Sequence, residues 1–379
     1  MTPKKNTPGF VDIPKACCVT GGSGFVGQRL VEMLVERGCE RVVSFDISPK
    51  PKNAMESPKI EYVQGDLTNP EVVMKAFKGV ECIFHIAALV GPYHAPEAYV
   101  KVNYDGTINV LNACKALGIK KIVMSSSPST RFPYPDPNVN GFTEEQLVEI
   151  NGGEYAKVFL QPYAETKALG EKAVRDACGT KAGDLLTVAV APHQVYGPRD
   201  GLFLPNLLEV AGSGKLRIFG PGHNLISFCH VDNYCHGLIL GAEALYPGSP
   251  ALGKYYVVTD GAPLKFWKVL DEAVIAMGFV SLWKKFHLPT WFMMGIAYIV
   301  LFLGNLYGKL SGTPPHIVNY HLKLNPFAVK MLVINRYFDI SAAKRDLKYE
   351  PLLTFEQGWA GTIEWFKENW LPKYKAGTK

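Results

Sequence analysis

Between Lys285 and Lys309 the chain carries no Asp, Glu, Lys or Arg, although 20% of its 379 residues are charged. Zinc-type cysteine spacing is missing as well. The eight cysteines, at positions 17, 18, 39, 82, 114, 178, 229 and 235, fall mostly in apolar strand or helix patterns. They read as reduced core thiols on a cytosolic face, which excludes a disulfide scaffold. The opening MTPKKNTPGFVDIPK lacks the apolar stretch of a secretory signal. The net charge is only +6, with lysines gathered toward the two ends, so there is no basic, aromatic-laced face for nucleic acid. His85, His193, His230 and His236 show no metal-binding arrangement, and no internal repeat or low-complexity tract is visible.

What is present starts with TGGSGFVG at Thr20 to Gly27, between an apolar strand candidate (Ala16 to Thr20) and a helical stripe of Val26, Leu30, Met33 and Leu34. Gly21 permits a tight turn, Gly24 lets backbone N–H groups approach a pyrophosphate, and Gly27 lets helix and strand pack closely. Ser23, Phe25 and Val26 complete this phosphate-facing turn, with the helix N-terminus aimed at the anion. About 20 residues on, a second strand ends in Asp46, where a carboxylate meets the ribose hydroxyls and repels a 2′-phosphate. The expected cofactor is therefore NAD.

Further strand candidates at Ile60 to Val63, Cys82 to His85, Lys121 to Ser125 and Leu185 to Ala189 alternate with helical patterns. Asn69 and Pro70 mark one helix start and Gly118 one helix end. This alternation predicts an α/β fold built on a doubly wound parallel sheet. The sheet domain is expected over 1–195, with a smaller C-terminal substrate region over 196–379. Between Ser127 and Gln161, richness in Pro, Asn and Gly predicts an irregular loop lining a substrate mouth.

Tyr163 and Lys167 stand four apart in PYAETK, on one helix face, so the ammonium is expected near the phenol. A fixed positive charge favours phenolate and lowers a pKa that is ordinarily near 10, making Tyr163 a proton acceptor from an alcohol. Ser125, Ser126 and Ser127 end a strand at the sheet's carboxyl edge, where ligands bind.

Through TGGSGFVG, Asp66–Leu67, Ala87 to Leu89, VNYDGT, SSS, YAETK and VYGPRD, the chain resembles the extended short-chain dehydrogenase/reductase superfamily, whose domain is of the Rossmann type. The resemblance implies Tyr163 as general acid/base, Lys167 as the lysine that holds the nicotinamide ribose, and Ser127 as the substrate-orienting serine. It further implies Asp66 and Leu67 beside the adenine and Ala87 and Ala88 along the cofactor channel. Asn103 would support the lysine's helix, and Pro192 and Val195 would lie at the carboxamide end. Ala191 departs from the pattern, since many relatives carry arginine before that proline.

The tail narrows the resemblance. GPRDGLFLPNLLEVAGSGKLRIFGPGHNLISFCHVDNYCHG and the late apolar run look like the 3β-hydroxysteroid dehydrogenase group. This implies NAD-dependent oxidation of a sterol 3β-hydroxyl, in particular that of a 4α-carboxysterol with loss of the carboxylate, in sterol synthesis. Arg199 is read as a structural residue rather than as a carboxylate ligand. The apolar segment 286–308, with WFMMGIAYIVLFLG at its centre, reads as membrane-like. Its 14 central residues extend only about 21 Å as a helix. Since the closing segment 336–370 resembles one that packs back on the catalytic domain, the segment is expected in the membrane plane or re-entrant. The expected site is the endoplasmic reticulum membrane on its cytosolic face, or the lipid-droplet surface, with a homodimer through the helices of Asn103 and Tyr163. Three rivals share parts of the pattern: a 3β-hydroxysteroid dehydrogenase/isomerase on uncarboxylated sterols, a nucleotide-sugar epimerase or dehydratase, and a silent NAD-binding membrane scaffold.

Overall fold

The structure is a computed structural model that describes residues 10–91, 94–132, 136–147, 159, 161–314, 316–318 and 324–377. Parts of the N-terminal stretch and of the loop read between Ser127 and Gln161 lie outside the described residues.

The strands, in chain order, are β1 (Ala16–Thr20), β2 (Arg41–Asp46), β3 (Ile60–Gln64), β4 (Cys82–His85), β5 (Lys121–Ser125), β6 (Val139–Phe142), β7 (Leu186–Pro192), β8 (Val195–Tyr196), β9 (Leu225–Ile226), β10 (Cys229–His230), β11 (Tyr255–Val258), β12 (Leu264–Lys265) and β13 (Arg336–Phe338). Seven form one parallel sheet in the order β11-β7-β5-β4-β1-β2-β3. All six expected strands are in it, β7 running three residues further than read. Their apolar runs suit strands covered by helices on both faces. This is the Rossmann-type α/β fold.

Local signals act as expected. Asn69 accepts from the N–H groups of Glu71 and Val72 to cap the helix Pro70–Ala76, and Gly118 ends Gly106–Leu117 with φ 68°.

The division expected at residue 195 is not where the sheet ends. β11, the edge strand, comes from beyond it, and so does the helix Val231–Glu243, which shares an apolar core with β5, β7 and β11. YYVV is a fully buried strand, and such a run shows no alternation. The Pro/Asn/Gly-rich stretch also holds order: β6 pairs in parallel with β13, in a four-stranded sheet β12-β9-β13-β6. The closing segment thus joins the body of the protein.

The charge-free stretch forms a helix, Thr290–Ser311, of 22 residues. Only Met293, Ala297, Gly304 and Gly308 are buried on it, with Trp291 76%, Phe302 66% and Leu310 79% exposed. A buried core helix is excluded.

Candidate active site

The glycine turn is built by contacts that forbid larger side chains. Gly21 takes φ +75°, and a Cβ on Gly27 would stand 2.0 Å from the Gly21 carbonyl oxygen. One detail differs from the expectation: the Gly24 N–H points inward, donating to the Gly21 carbonyl at 3.1 Å. The donors left for an anion are those of the first turn of Phe25–Glu36, which no side chain caps.

A cleft of about 570 Å³ runs over this turn along the carboxyl edge of the sheet. Gly21, Gly24, Phe25, Val26, Gly27, Asp46, Asp66, Leu67, Ala87, Ala88, Ser127, Tyr163, Pro192 and Val195 all line it. Ser23, Asn103 and Lys167 do not: Asn103 and Lys167 are buried behind the wall, and Ser23 lies beside the glycine turn with its hydroxyl on the Pro49 carbonyl. The Ser23 N–H donates to Asp46 Oδ2 at 3.0 Å, and that of Ser48 to Oδ1 at 2.8 Å, which fixes the carboxylate at the end of β2. Asn103 bonds both backbone groups of Leu89 and reaches Thr166 Oγ1 at 3.2 Å, tying the channel wall to the helix Pro162–Asp176.

On that helix Tyr163, Lys167 and Glu171 recur every fourth residue. Lys167, 2% exposed, donates from Nζ to the Ser125 carbonyl at 2.7 Å, and burial pulls its pKa down to about 8 although Glu171 opposes the shift. Tyr163 is half-buried beside Ser127, whose hydroxyl pairs with that of Ser129 at 2.9 Å. Its phenol is pushed up to about 12, by burial first and by Tyr99 second, with Ser127 opposing. The expected lowering is therefore not the net outcome: desolvation of the phenolate dominates. The sequence reading missed Glu171. It bonds Arg131 through both carboxylate oxygens and accepts from Ser126 Oγ at 2.5 Å. Burial alone would raise its pKa, but Arg131, Ser126 and Arg175 together hold it below the usual value. The signal for it was its place four residues beyond Lys167. Tyr234, also missed, donates to Ser125 Oγ at 2.6 Å and lines the cleft.

Arg199 makes a two-pronged ion pair with Glu32, at 2.7 and 2.8 Å. It has the structural role expected of it.

A second chamber of about 440 Å³ adjoins the first, sharing Ser127, Pro192, Gln194, Leu202 and Phe203. Its far wall holds Phe327, Met331 and Leu332, from the helix Pro326–Val333, and Phe266. Among the described residues no cluster of His, Cys, Asp and Glu is suited to a metal.

Residues 18–288 match the model of the 3-beta hydroxysteroid dehydrogenase/isomerase family. The chain belongs to this family. Sterol-4-alpha-carboxylate 3-dehydrogenase, decarboxylating, of Mus musculus is 33% identical over 94% of this chain and 92% of its own length. A 2-alkyl-3-oxoalkanoate reductase of Stenotrophomonas maltophilia is also 33% identical, over 90% of this chain and 96% of its own. Among solved structures, the dTDP-glucose 4,6-dehydratase DesIV of Streptomyces venezuelae, with NAD and TYD bound, shares the fold at a TM-score of 0.67 and 19% identity, covering 93% of this chain and 97% of that one. The Thr290–Ser311 helix lies beyond the family match.

Proposed function

We propose that the protein is an NAD-dependent 3β-hydroxysterol dehydrogenase whose substrate is a 4α-carboxysterol, oxidised to the 3-ketone with loss of the 4-carboxylate. One observation carries this reading: Tyr163 and Ser127 line the same cleft over the glycine turn, and Ser127 also lines the apolar chamber. Membership of the family and the names of its sterol relatives support the sterol 3-dehydrogenase chemistry.

NAD fits the residues present: a first helical turn left uncapped for the pyrophosphate, and Asp46 held by two backbone donors for the ribose. When bound, it supplies the hydride acceptor. Ser127 orients the substrate hydroxyl, and Tyr163 Oη takes its proton. Lys167 holds positive charge behind the phenol, while Glu171 with Arg131 fixes the helix against the serine run. The product of oxidation is a ketone β to a carboxylate. Its C–C bond breaks as the electron pair passes to the ketone as an enolate; carbon dioxide leaves and the enolate takes a proton.

The printed names of two relatives share one chemistry. A 3-oxoalkanoate is a β-keto acid, and dehydrogenation of a sterol 4-carboxylate at C3 yields another. An acyclic β-hydroxy acid is thus the second reading of the chamber. NADH formation by detergent-solubilised protein, with a 4α-carboxysterol, the uncarboxylated sterol and an acyclic 3-hydroxy acid in parallel, tests the assignment. NADH from the carboxysterol alone is the expected result. Turnover of the uncarboxylated sterol would favour the dehydrogenase/isomerase activity, and turnover of the acyclic acid alone would replace the sterol.

The same proposal places the protein on a membrane, at the endoplasmic reticulum or a lipid droplet, with its body in the cytosol. The helix Thr290–Ser311 extends about 33 Å, enough to cross a hydrocarbon core. Both of its flanks nevertheless return to one body: Leu288 bonds Ile218 and Gly220 before it, and β13 joins the small sheet after it. The helix Pro326–Val333, about 12 Å long, packs against it through Val329, Met293 and Ala297 and is too short to serve as a second crossing. An in-plane or re-entrant helix satisfies both facts. The Pro326–Val333 helix also walls the chamber, so a lipid-soluble substrate has a short path from the bilayer to Ser127. A homodimer through the helices of Asn103 and Tyr163 belongs to the same reading, and light scattering in detergent measures its mass.

A further inference from the structure

Two stretches of the chain, 210–231 and 273–338, contain no Asp or Glu. The fold joins them at the foot of the apolar helix. Phe219 bridges to Leu288, whose N–H donates to the Ile218 carbonyl at 2.9 Å and whose carbonyl accepts from the Gly220 N–H at 2.8 Å. The helix starts two residues later, at Thr290. One stretch supplies Lys215 and Arg217 to this corner, and the other supplies Lys284 and Lys285.

Arg217 and Lys285 crowd the same two backbone groups. Arg217 Nη1 donates to the carbonyls of Gly214 and Leu216 at 2.6 and 2.9 Å, and Lys285 Nζ reaches that pair at 3.4 and 3.5 Å. Among the described residues no carboxylate pairs with either cation, and Arg217 Nε is buried without a partner. The pKa of Lys285 is lowered, by burial first and by the charge of Arg217 second, with Asp271 opposing. Asp271 is itself buried and already engaged, accepting from Ser281 Oγ at 2.9 Å and from the Leu282 N–H. Lys215 and Lys284 are exposed, and their side chains make no hydrogen bond or ion pair among the described residues.

Large apolar side chains stand among these cations: Val280 is 61% and Phe286 70% exposed, and the Arg217 guanidinium lies 5.4 Å from the centre of the Phe286 ring. Gathered like charges repel one another in water, and exposed rings gain nothing there. A bilayer interface suits both, because anionic head groups take the cations and the interfacial layer takes the rings. A nucleic acid or an acidic protein would meet the charges but leave the adjoining apolar helix uncovered.

We propose that this corner is a docking surface for anionic lipid head groups, which hold the body against the membrane where the apolar helix enters it. The proposal rests on the membrane placement given above and adds the charge of the lipid. Head groups bound by Lys215, Arg217, Lys284 and Lys285 fix how the helix is rolled, and with it the orientation of the chamber wall that packs on the helix.

The test is flotation of the full chain, diluted from detergent onto preformed vesicles of phosphatidylcholine alone or of phosphatidylcholine and phosphatidylserine at about 3:1, in low and in high salt. Wild type is expected to partition roughly 10- to 100-fold more strongly onto the anionic vesicles in low salt, and high salt should remove most of that preference. Lys215→Gln combined with Lys284→Gln should cut the preference roughly 5- to 25-fold, while Lys215→Arg combined with Lys284→Arg should keep it. Both pairs change exposed side chains only, and NAD binding in detergent reports that they fold. Equal flotation of wild type on the two kinds of vesicle overturns the proposal and leaves the membrane placement standing. A glutamine pair that binds NAD and retains the full preference overturns it too. Wild type that floats with neither vesicle sinks the membrane placement and the docking surface together.

Discussion

Tyr163, Lys167 and Glu171 show how one helix face carries charge toward a reacting atom. Glu171 and Arg131 neutralise each other at the deep end, Lys167 stands in the middle, and Tyr163 meets the cleft. With the phenol pushed up to about 12, Tyr163 is protonated at neutral pH, and alcohol oxidation should accelerate as pH rises and phenolate becomes accessible. Lys167, near 8, loses its charge above that value. Loss of the cation removes support from the phenolate, so the log kcat/KM profile should bend over near pH 8. Lys167→Met should abolish the bend and lower the rate at every pH below it; an unchanged bend would place the titration elsewhere. Tyr163→Phe should lose roughly 10²- to 10⁴-fold in kcat while still binding NAD. The spacing of Tyr163 and Lys167 was legible in the sequence, but the sign of the phenol's shift was not, because desolvation depends on neighbours such as Tyr99 that lie far off in the chain.

The glycine turn and the first helix were legible as an element because their constraint is local. Gly27 meets the backbone of Gly21, not a side chain that can move. Gly27→Ala should therefore cost about 1–3 kcal/mol of stability and weaken NAD binding, both readable from denaturant unfolding with and without NAD. Wild-type stability and affinity in that variant would show the helix free to shift. β11 and β6 escaped because a fully buried strand lacks period, and a proline-rich stretch conceals a short strand whose partner residues, such as Val139 and Arg336, are far apart in the chain. The apolar helix was legible from its missing charges, though its full length emerged only with its polar end. Carbonate extraction should leave the protein with membranes, and combined Trp291→Ser, Phe302→Ser and Leu310→Ser should release it. Complete release of the wild type would remove the membrane from the account.

At the scale of the whole molecule, the closing segment completes the apolar chamber. β13 threads between β6 and β9 and delivers Arg336 to the chamber, while the preceding helix joins that chamber's wall to the apolar helix. Motif spacing located the cofactor side because those residues follow one another along a single sheet edge. It left the substrate side open, since Ser127 and His193 follow β5 and β7 of the large sheet while Arg336 reaches the chamber only through the small one. The central claim is that one site oxidises C3 and so commits the neighbouring carboxylate to leave. The most direct test gives purified protein NAD and a sterol labelled in the 4α-carboxylate carbon, and measures NADH and labelled carbon dioxide together. The account predicts equal amounts from wild type and neither from Tyr163→Phe; NADH without carbon dioxide, or carbon dioxide released by Tyr163→Phe, would contradict it.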